Sequence, residues 1–245
     1  MKGVLFDLDG VVTDTATYHF SAWSQLVKDE FGLTLPENIE ERTKGVSRED
    51  SLKIILDELN ISVDEERFQY LANKKNQFYI ESLEQLTDQD ILPGIQELIN
   101  DLKQKGVKIA LASASHNGPF ILKKIGLLYF FDTIVDPGKV TKGKPNPEIF
   151  EVAAAQLGLA SNDCVGVEDS IAGIAAINSA GSCSVGVGDE TLSQAFKRVE
   201  STKELTVTLL KEAWDNFVEE KYKVKELFCQ DSSFVFRTCE GSFPN

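Results

Sequence analysis

FDLDGVVTDT, residues 6–15, closes the first apolar stretch of the chain with two aspartates, Asp7 and Asp9. Val4, Leu5 and Phe6 form a continuous apolar run before them, which is typical of a strand buried on both faces. Two carboxylates within about 4–6 Å of each other repel, and one is pushed toward its neutral form. Some feature at the end of this strand must therefore make paired carboxylates favourable.

Apolar runs of the same kind recur along the chain and alternate with helical patterns. Further strands are predicted at 107–115, 132–136, 164–170 and 182–188. Between them, apolar residues recur at helical spacing, as at Ile95, Leu98, Ile99 and Leu102. Strands that alternate with helices indicate a parallel sheet with helices on both faces. We therefore expect an α/β fold whose core is a Rossmann-like parallel sheet.

Residues 15–87 interrupt this alternation, because they carry helical patterns and no convincing strand. We expect them to form an α-helical cap domain, inserted after the first strand of a core domain made of 1–14 and 88–225. The two connections, near 13–16 and 86–92, would lie close together and could act as a hinge.

The last part of the chain combines a predicted helix with a tail. Ser201 and Glu204 form a capping box before an amphipathic pattern, which predicts a final helix. The pattern fails beyond about residue 225. We therefore expect 226–245 to be an appended, disordered tail.

Composition and charge limit the partners that this chain can have. Its 245 residues include 39 acidic and 25 basic side chains, a net charge of −14. Such a surface repels nucleic acid and anionic membranes, so neither is an expected partner. The sequence shows no secretory signal and no apolar stretch of the roughly 18 residues that a membrane span needs. The four cysteines lack CxxC spacing, which predicts a cytoplasmic protein with reduced thiols. Separately, we expect the protein to be a monomer.

Polar side chains follow several of the predicted strands, at the edge where open parallel sheets bind ligands. These residues are Asp7 and Asp9 after the first strand, Ser113, Ser115 and Asn117 after the second, where Ala114 stands among them, Glu168 and Asp169 after the fourth, and Lys144 in a loop before a helix. Clustered carboxylates become favourable when they share a divalent cation, and Mg²⁺ suits an all-oxygen set. A calcium loop from Asp7 would need glycine and glutamate where Val12 and Tyr18 stand, which excludes that alternative.

Phosphoryl transfer through an aspartate nucleophile is the chemistry that this set suggests. The cation and Lys144 would offset charge on the transferring group, while Ser113 and backbone N–H groups would hold its oxygens. Asp9 could act as general acid and base for the alcohol that leaves or attacks. The chain has no GxxxxGK[ST] loop, and GVGDET at 186–191 lacks the third glycine of GxGxxG.

Four segments together resemble the motifs of the haloacid dehalogenase-like superfamily: FDLDGVVTDT, LASAS, GKPNPEIF and GVEDSIAGI. TDTATYHFSAW, KGVSREDSL, ILPGI and LASASHNGPF extend the resemblance, over residues 1 to about 222, to the β-phosphoglucomutase family. This resemblance implies a Mg²⁺-dependent enzyme that interconverts β-D-glucose 1-phosphate and D-glucose 6-phosphate. The reaction would pass through a phosphorylated aspartate and a bisphosphate intermediate, so the partners would be small sugar phosphates.

The same resemblance implies a role for each site residue. Asp7 would carry the phosphoryl group and Asp9 would be acid and base, while Ser113, Ala114 and Lys144 would hold the transferring phosphate. Mg²⁺ would be bound by Asp7, Asp169 and the backbone carbonyl of Asp9, with Glu168 nearby. The other substrate contacts would be Arg48 and Asn117 on the distal phosphate, His19, Trp23, Lys44, Gly45 and Ser51 around the sugar, and Thr15 at the hinge. His116 stands where the family often has lysine, which would weaken phosphate attraction at that loop.

Simpler interpretations of these residues stay open. The first two aspartates could form a strand-end turn, and Glu168 and Asp169 could cap the helix that follows them. His19 and Trp23 lie four residues apart on one helix face, where packing is the usual explanation. Two other functions are also open. One is a sugar-phosphate phosphatase on the same scaffold, in which water accepts the phosphoryl group, and the other is a phosphosugar-binding regulator without turnover.

Overall fold

The computed structural model describes residues 1–36 and 38–235, and gives no side-chain surroundings for 224–235. Six parallel strands form one sheet in the order β3-β2-β1-β4-β5-β6. They are β1 (Gly3–Phe6), β2 (Lys108–Leu111), β3 (Thr133–Ile134), β4 (Cys164–Glu168), β5 (Cys183–Val187) and β6 (Lys197–Val199). The predicted α/β fold with a parallel sheet is confirmed.

Helices cover both faces of the sheet, because side chains along each strand point alternately to opposite sides. In β1, Val4 and Phe6 belong to one apolar cluster and Leu5 to the other. The first cluster includes side chains of α5 (Ile95–Gln104), α6 (Gly118–Lys124) and α9 (Val207–Val235), and the second those of α7 (Glu148–Gln156) and α8 (Ile171–Ala180). Burial on both faces explains why the strand reads as an unbroken apolar run.

Four helices between β1 and α5 pack around an apolar cluster of their own, and these helices are referred to as the cap. They are α1 (Ala16–Phe31), α2 (Asn38–Thr43), α3 (Arg48–Glu58) and α4 (Glu65–Leu83). Trp23, Leu52 and Leu71 are among the buried members of this cluster. A local capping interaction helps to start α3, where the side chain of Ser47 accepts a hydrogen bond from the backbone N–H of Asp50. The boundaries of a cap domain at residues 15 and 87 stay predictions.

The two segments that connect the cap to the sheet lie side by side. The hydroxyl of Thr13 donates to the backbone carbonyl of Asp90 at 2.7 Å. The backbone N–H of Leu92 donates to the carbonyl of Val12 at 2.9 Å, and Thr13 and Ile91 form an antiparallel bridge. Both ends of the cap are therefore held at one point beside the end of β1.

Two elements were not predicted from the sequence. The edge strand β6 is short and begins with Lys197 and Arg198, so it shows no apolar run. The helix α2 is six residues long and buries Ile39 alone, which is too little to produce a helical period. Short elements with few buried side chains leave little pattern in the sequence.

The end of the chain also differs from expectation. The capping box of Ser201 and Glu204 is present, but it closes a short 3-10 turn, and α9 begins at Val207. This helix continues past residue 225 to Val235, because no glycine or proline interrupts it. Residues 236–245 of the predicted tail lie outside the described residues. Among the helices of the described part, none has the length and apolar character needed to cross a membrane.

Candidate active site

Asp7 lies at the carboxyl edge of the sheet, directly after β1. Its backbone N–H donates to the carbonyl of Val167 in β4 at 3.0 Å, which fixes the start of the loop. Lys144 is buried and its Nζ donates to Asp7 Oδ1 at 2.6 Å and to Glu168 Oε1 at 2.7 Å. One ammonium group therefore offsets the charge of two buried carboxylates, which would otherwise be costly to bury.

The buried setting separates the protonation behaviour of the two aspartates. Burial raises the pKa of Asp7 to about 6, although Lys144 opposes this shift. Burial raises the pKa of Asp9 further, to about 8, and the charge of Asp7 adds to that shift. Without a bound cation at neutral pH, Asp7 is therefore mostly charged and Asp9 mostly protonated. This is how a nucleophile beside a general acid should be arranged.

Glu168 organises the turn between β4 and α8. Its Oε2 accepts hydrogen bonds from the backbone of Asp169 at 2.8 Å and from the backbone and hydroxyl of Ser170 at 2.7 and 2.8 Å. Its Oε1 is held by Lys144, so both oxygens are already occupied. The side chain that caps α8 is that of Ser170, which accepts from the backbone of Gly173. Helix capping therefore does not explain the two acids before it.

Three carboxylates form a group that could hold a metal ion. Asp7, Glu168 and Asp169 each bring one oxygen within 4.8 Å of the others. Burial raises the pKa of Asp169 well above its ordinary value, and the neighbouring Glu168 adds to the shift. An all-oxygen, strongly anionic set of this kind fits a hard divalent cation. The cation would be held mainly by Asp7 and Asp169, because the oxygens of Glu168 already accept hydrogen bonds.

The tip of the cap, between α2 and α3, lies directly on the acidic group. Lys44 Nζ is 3.1 Å from Asp169 Oδ2. Gly45 has a φ of +70°, and a Cβ there would come within 2.4 Å of the Ser170 hydroxyl. Gly10 has a φ of +71°, and a Cβ there would come within 1.7 Å of Asp169 Oδ2. Glycine is required at both positions for these segments to close around Asp169.

A cavity of about 670 Å³ lies between the cap and the sheet edge, a size that suits a small ligand. Twelve of the residues suggested by the sequence line it: Asp7, Asp9, His19, Trp23, Lys44, Gly45, Arg48, Ser51, Ser113, Ala114, Asn117 and Asp169. Three others do not. Lys144 and Glu168 lie behind this surface, in contact with each other, and Thr15 is fully buried at the start of α1.

Lys75 of α4 lines the cavity and was missed in the sequence. Its Nζ lies 2.6 Å from His19 Nδ1 and 4.7 Å from the ring centroids of Trp23 and Tyr79. Burial lowers the pKa of Lys75 to about 7, although the negative charge of Asp9 acts to raise it. A signal did exist, because Lys75 stands between Leu71 and Tyr79 in a row of buried positions at helical spacing. A lysine is almost never fully buried without a partner.

His19 links this lysine to Asp9. Burial and the charge of Lys75 lower the pKa of His19 well below its ordinary value, so the imidazole is neutral. When Lys75 is charged it can only donate, so Nδ1 then accepts and the imidazole proton lies on Nε2, 4.0 Å from Asp9 Oδ2. In the described part of the chain, Asp9 Oδ1 is buried without a hydrogen-bond partner. That oxygen is free for a hydroxyl group of a ligand.

Comparison with known proteins places this site in a family. A family model for haloacid dehalogenase-like hydrolases matches residues 1–181. The chain belongs to the haloacid dehalogenase-like hydrolase family. It is 43% identical to the β-phosphoglucomutase of Bacillus subtilis over 229 residues, which is 92% of this chain and 99% of that protein. It is also 31% identical to the phosphorylated carbohydrates phosphatase of Thermotoga maritima over 74% of this chain and 82% of that protein.

A solved structure shows the same similarity. The crystal structure of a β-phosphoglucomutase from Clostridium difficile superposes with a TM-score of 0.86 and 41% sequence identity. The match covers 89% of this chain and 99% of that chain. The two proteins therefore share one fold, with the same parallel sheet and the same helices inserted after its first strand.

The buried Asp9 carboxylate should reduce the stability of the metal-free hydrolase at high pH. Its pKa is raised from 3.8 to about 8, so its protonated form stabilises the fold, and this contribution is lost as pH rises through about 8. We expect Asp9→Asn to be more stable than the parent at pH 8.5, by about 2–4 kcal/mol, and equal to it below pH 4. Urea unfolding in the presence of a chelator measures this difference.

The matched control is Asp57→Asn, which removes the same charge from an exposed position on α3. Its unfolding free energy should stay within about 0.5 kcal/mol of the parent at both pH values. A stabilisation of Asp9→Asn that did not depend on pH would contradict the shifted titration of Asp9.

Proposed function

We propose that this protein is a magnesium-dependent β-phosphoglucomutase that interconverts β-D-glucose 1-phosphate and D-glucose 6-phosphate. Identity of 43% to the Bacillus subtilis enzyme over nearly the full length of both chains supports this function. The observation that carries it is that Asp7 and Asp9 line one cavity between the cap and the sheet edge, with the pKa of Asp9 raised above that of Asp7. The cap side of that cavity carries Arg48 and Lys75, so a substrate with a second phosphate meets cations there.

In the first half-reaction, a carboxylate oxygen of Asp7 forms a bond to the phosphorus at carbon 1 of β-D-glucose 1,6-bisphosphate while the bond from that phosphorus to the sugar oxygen breaks, which releases D-glucose 6-phosphate and leaves Asp7 phosphorylated. The carboxyl group of Asp9, which lies beside His19, gives its proton to the departing sugar oxygen. Lys144 offsets the negative charge that approaches Asp7, while the hydroxyl of Ser113 and nearby backbone N–H groups hold the phosphate oxygens. A bound Mg²⁺ would further neutralise charge on the transferring phosphate and its carboxylate ligands.

The second half-reaction runs these steps in reverse with the 6-hydroxyl of a β-D-glucose 1-phosphate molecule, which regenerates the bisphosphate and the free carboxylate of Asp7. Asp9 removes the proton of that hydroxyl, its oxygen attacks the phosphorus, and the bond to Asp7 breaks. Both hydroxyl groups must reach the same aspartate, so the bisphosphate intermediate has to bind in two orientations. Arg48 and Asn117 line the cavity and would hold whichever phosphate is not reacting, while His19, Trp23 and Ser51 would contact the sugar.

A sugar-phosphate phosphatase is the main alternative, since the Thermotoga maritima relative carries that name. The two activities share phosphorylation of Asp7 and differ in whether water or a sugar hydroxyl accepts the group. Contacts of the cap with the core, such as Gly45 against Ser170, favour the mutase because a closed cap excludes water. Roles for the individual residues, a monomeric state and a cytoplasmic location stay predictions.

A coupled assay distinguishes these functions. The protein is incubated with β-D-glucose 1-phosphate, a trace of the 1,6-bisphosphate and Mg²⁺, and both glucose 6-phosphate and inorganic phosphate are measured. We expect glucose 6-phosphate as the main product, and loss of its formation when a chelator removes the cation. Inorganic phosphate without glucose 6-phosphate would identify a phosphatase. Binding of the substrate without either product would identify a regulator.

A further inference from the structure

A side-chain hydrogen bond joins the cap to the core at the wall of the cavity. Asn117 Nδ2, just before α6, donates to Asn76 Oδ1 of α4 at 3.0 Å. Both side chains are partly buried and both line the cavity. Asn76 directly follows Lys75, so neighbouring residues of α4 contact His19 and Asn117.

The carboxamide of Asn117 has no competing partner to orient it in the described part of the chain. It stands at the start of α6, but its side chain makes no capping hydrogen bond there. The Nδ2 group has two hydrogens, and one of them is used by Asn76. The second remains for an acceptor in the cavity. Without Asn76, the carboxamide could turn its oxygen toward an anion, which would be repulsive.

We propose that Asn76 is a positioning residue, which holds the carboxamide of Asn117 with its N–H groups available to the phosphate that is not being transferred. This inference rests on the proposed function, which supplies that phosphate. Because Asn76 lies in the cap and Asn117 in the core, the hydrogen bond forms when the two are closed together. Phosphate binding and cap closure therefore favour each other through this pair.

The test is calorimetric titration of the metal-free protein with β-D-glucose 1,6-bisphosphate, which cannot turn over without the cation. We expect Asn76→Ala to weaken binding about 3–10-fold, the effect of one lost hydrogen bond. Because Asn76 acts through Asn117, the double variant with Asn117→Ala should bind no more weakly than Asn117→Ala alone. The matched control is Asn73→Ala, an exposed asparagine of the same helix, which should bind as the parent does.

A second measurement separates positioning from a general structural role. Acetyl phosphate has no second phosphate, so its phosphorylation of Asp7 in the presence of Mg²⁺, followed by intact-protein mass, should be equal in the parent and Asn76→Ala. If Asn76→Ala slowed this phosphorylation as much as it weakened bisphosphate binding, the inference would be overturned. Unchanged bisphosphate affinity of Asn76→Ala would also overturn it. A double variant whose loss of bisphosphate affinity equals the product of the two single losses would overturn it too. If Asn76→Ala does not fold, Asn76→Ser serves, since its short side chain cannot span to Asn117.

Failure of the proposed function gives a different result. A parent that does not convert β-D-glucose 1-phosphate, while Asn76→Ala still weakens bisphosphate binding, would remove the mutase and leave the role of Asn76 supported. A parent that converts the substrate normally, while Asn76→Ala binds the bisphosphate unchanged, would remove the role of Asn76 alone.

Discussion

Replacing Asp7 with asparagine should abolish the interconversion of β-D-glucose 1-phosphate and glucose 6-phosphate, with an expected loss on the order of 10⁴-fold or more. An amide oxygen is a far weaker nucleophile than a carboxylate, so the bond to phosphorus does not form. The substitution keeps the size of the side chain, and its oxygen can still accept from Lys144. The fold should therefore survive, since Lys144 also keeps its contact with Glu168.

Two measurements check this expectation. The coupled assay gives turnover, and intact-protein mass after exposure to acetyl phosphate and Mg²⁺ shows whether a phosphoenzyme forms. The parent should gain one phosphoryl group and Asp7→Asn none. The control Asp57→Asn, exposed on α3, should behave as the parent in both measurements. Appreciable mutase turnover in Asp7→Asn would show that another group is the nucleophile.

The central strands and the edge residues could be predicted because both leave strong local patterns. A strand such as β1 is buried by neighbours on each side and by helices on each face, and it must be apolar throughout. The loop after it must carry the polar side chains. The sequence places Asp7, Asp9 and Asp169 at strand ends for this reason, and in the structure they line one cavity.

What the sequence did not reveal depends on contacts between the cap and the core. The sequence marks Lys75 only as a lysine within a row of buried helix positions, and it does not mark Asn76 at all. Their partners, His19 and Asn117, become known only when α4 is placed over the sheet edge. The short strand β6 is an edge strand with two basic residues, and pairing with β5 alone identifies it. Such features arise from tertiary packing, which a local pattern cannot encode.

Lys144→Met should remove activity and also destabilise the fold, because Lys144 is the cation between two buried carboxylates. The methionine fills a similar volume but leaves Asp7 and Glu168 without their shared donor. Breaking a buried ion pair by removing one partner costs about 3–5 kcal/mol, and we expect a loss of this size at pH 7.5. Turnover should fall on the order of 10³-fold, since the charge facing the transferring phosphate is no longer offset.

The destabilisation should shrink as the pH is lowered. The pKa of Lys144 is raised above its ordinary value by Asp7 and Glu168 against the opposing effect of burial, so the ammonium is charged at pH 5 and at pH 7.5. The pH dependence of the stability deficit must therefore come from a carboxylate. The pKa of Asp7 is about 6 with Lys144 in place and should rise without it, so that at pH 5 the variant buries a neutral group.

Urea unfolding of the metal-free protein at the two pH values measures this effect. The control Lys142→Met removes a lysine from an exposed position two residues away and should leave stability within about 0.5 kcal/mol of the parent. An equal deficit of Lys144→Met at pH 5 and pH 7.5 would mean that lost packing, not unpaired charge, destabilises it. A deficit confined to high pH would instead show that Lys144 makes it possible to bury a charged nucleophile at the end of β1.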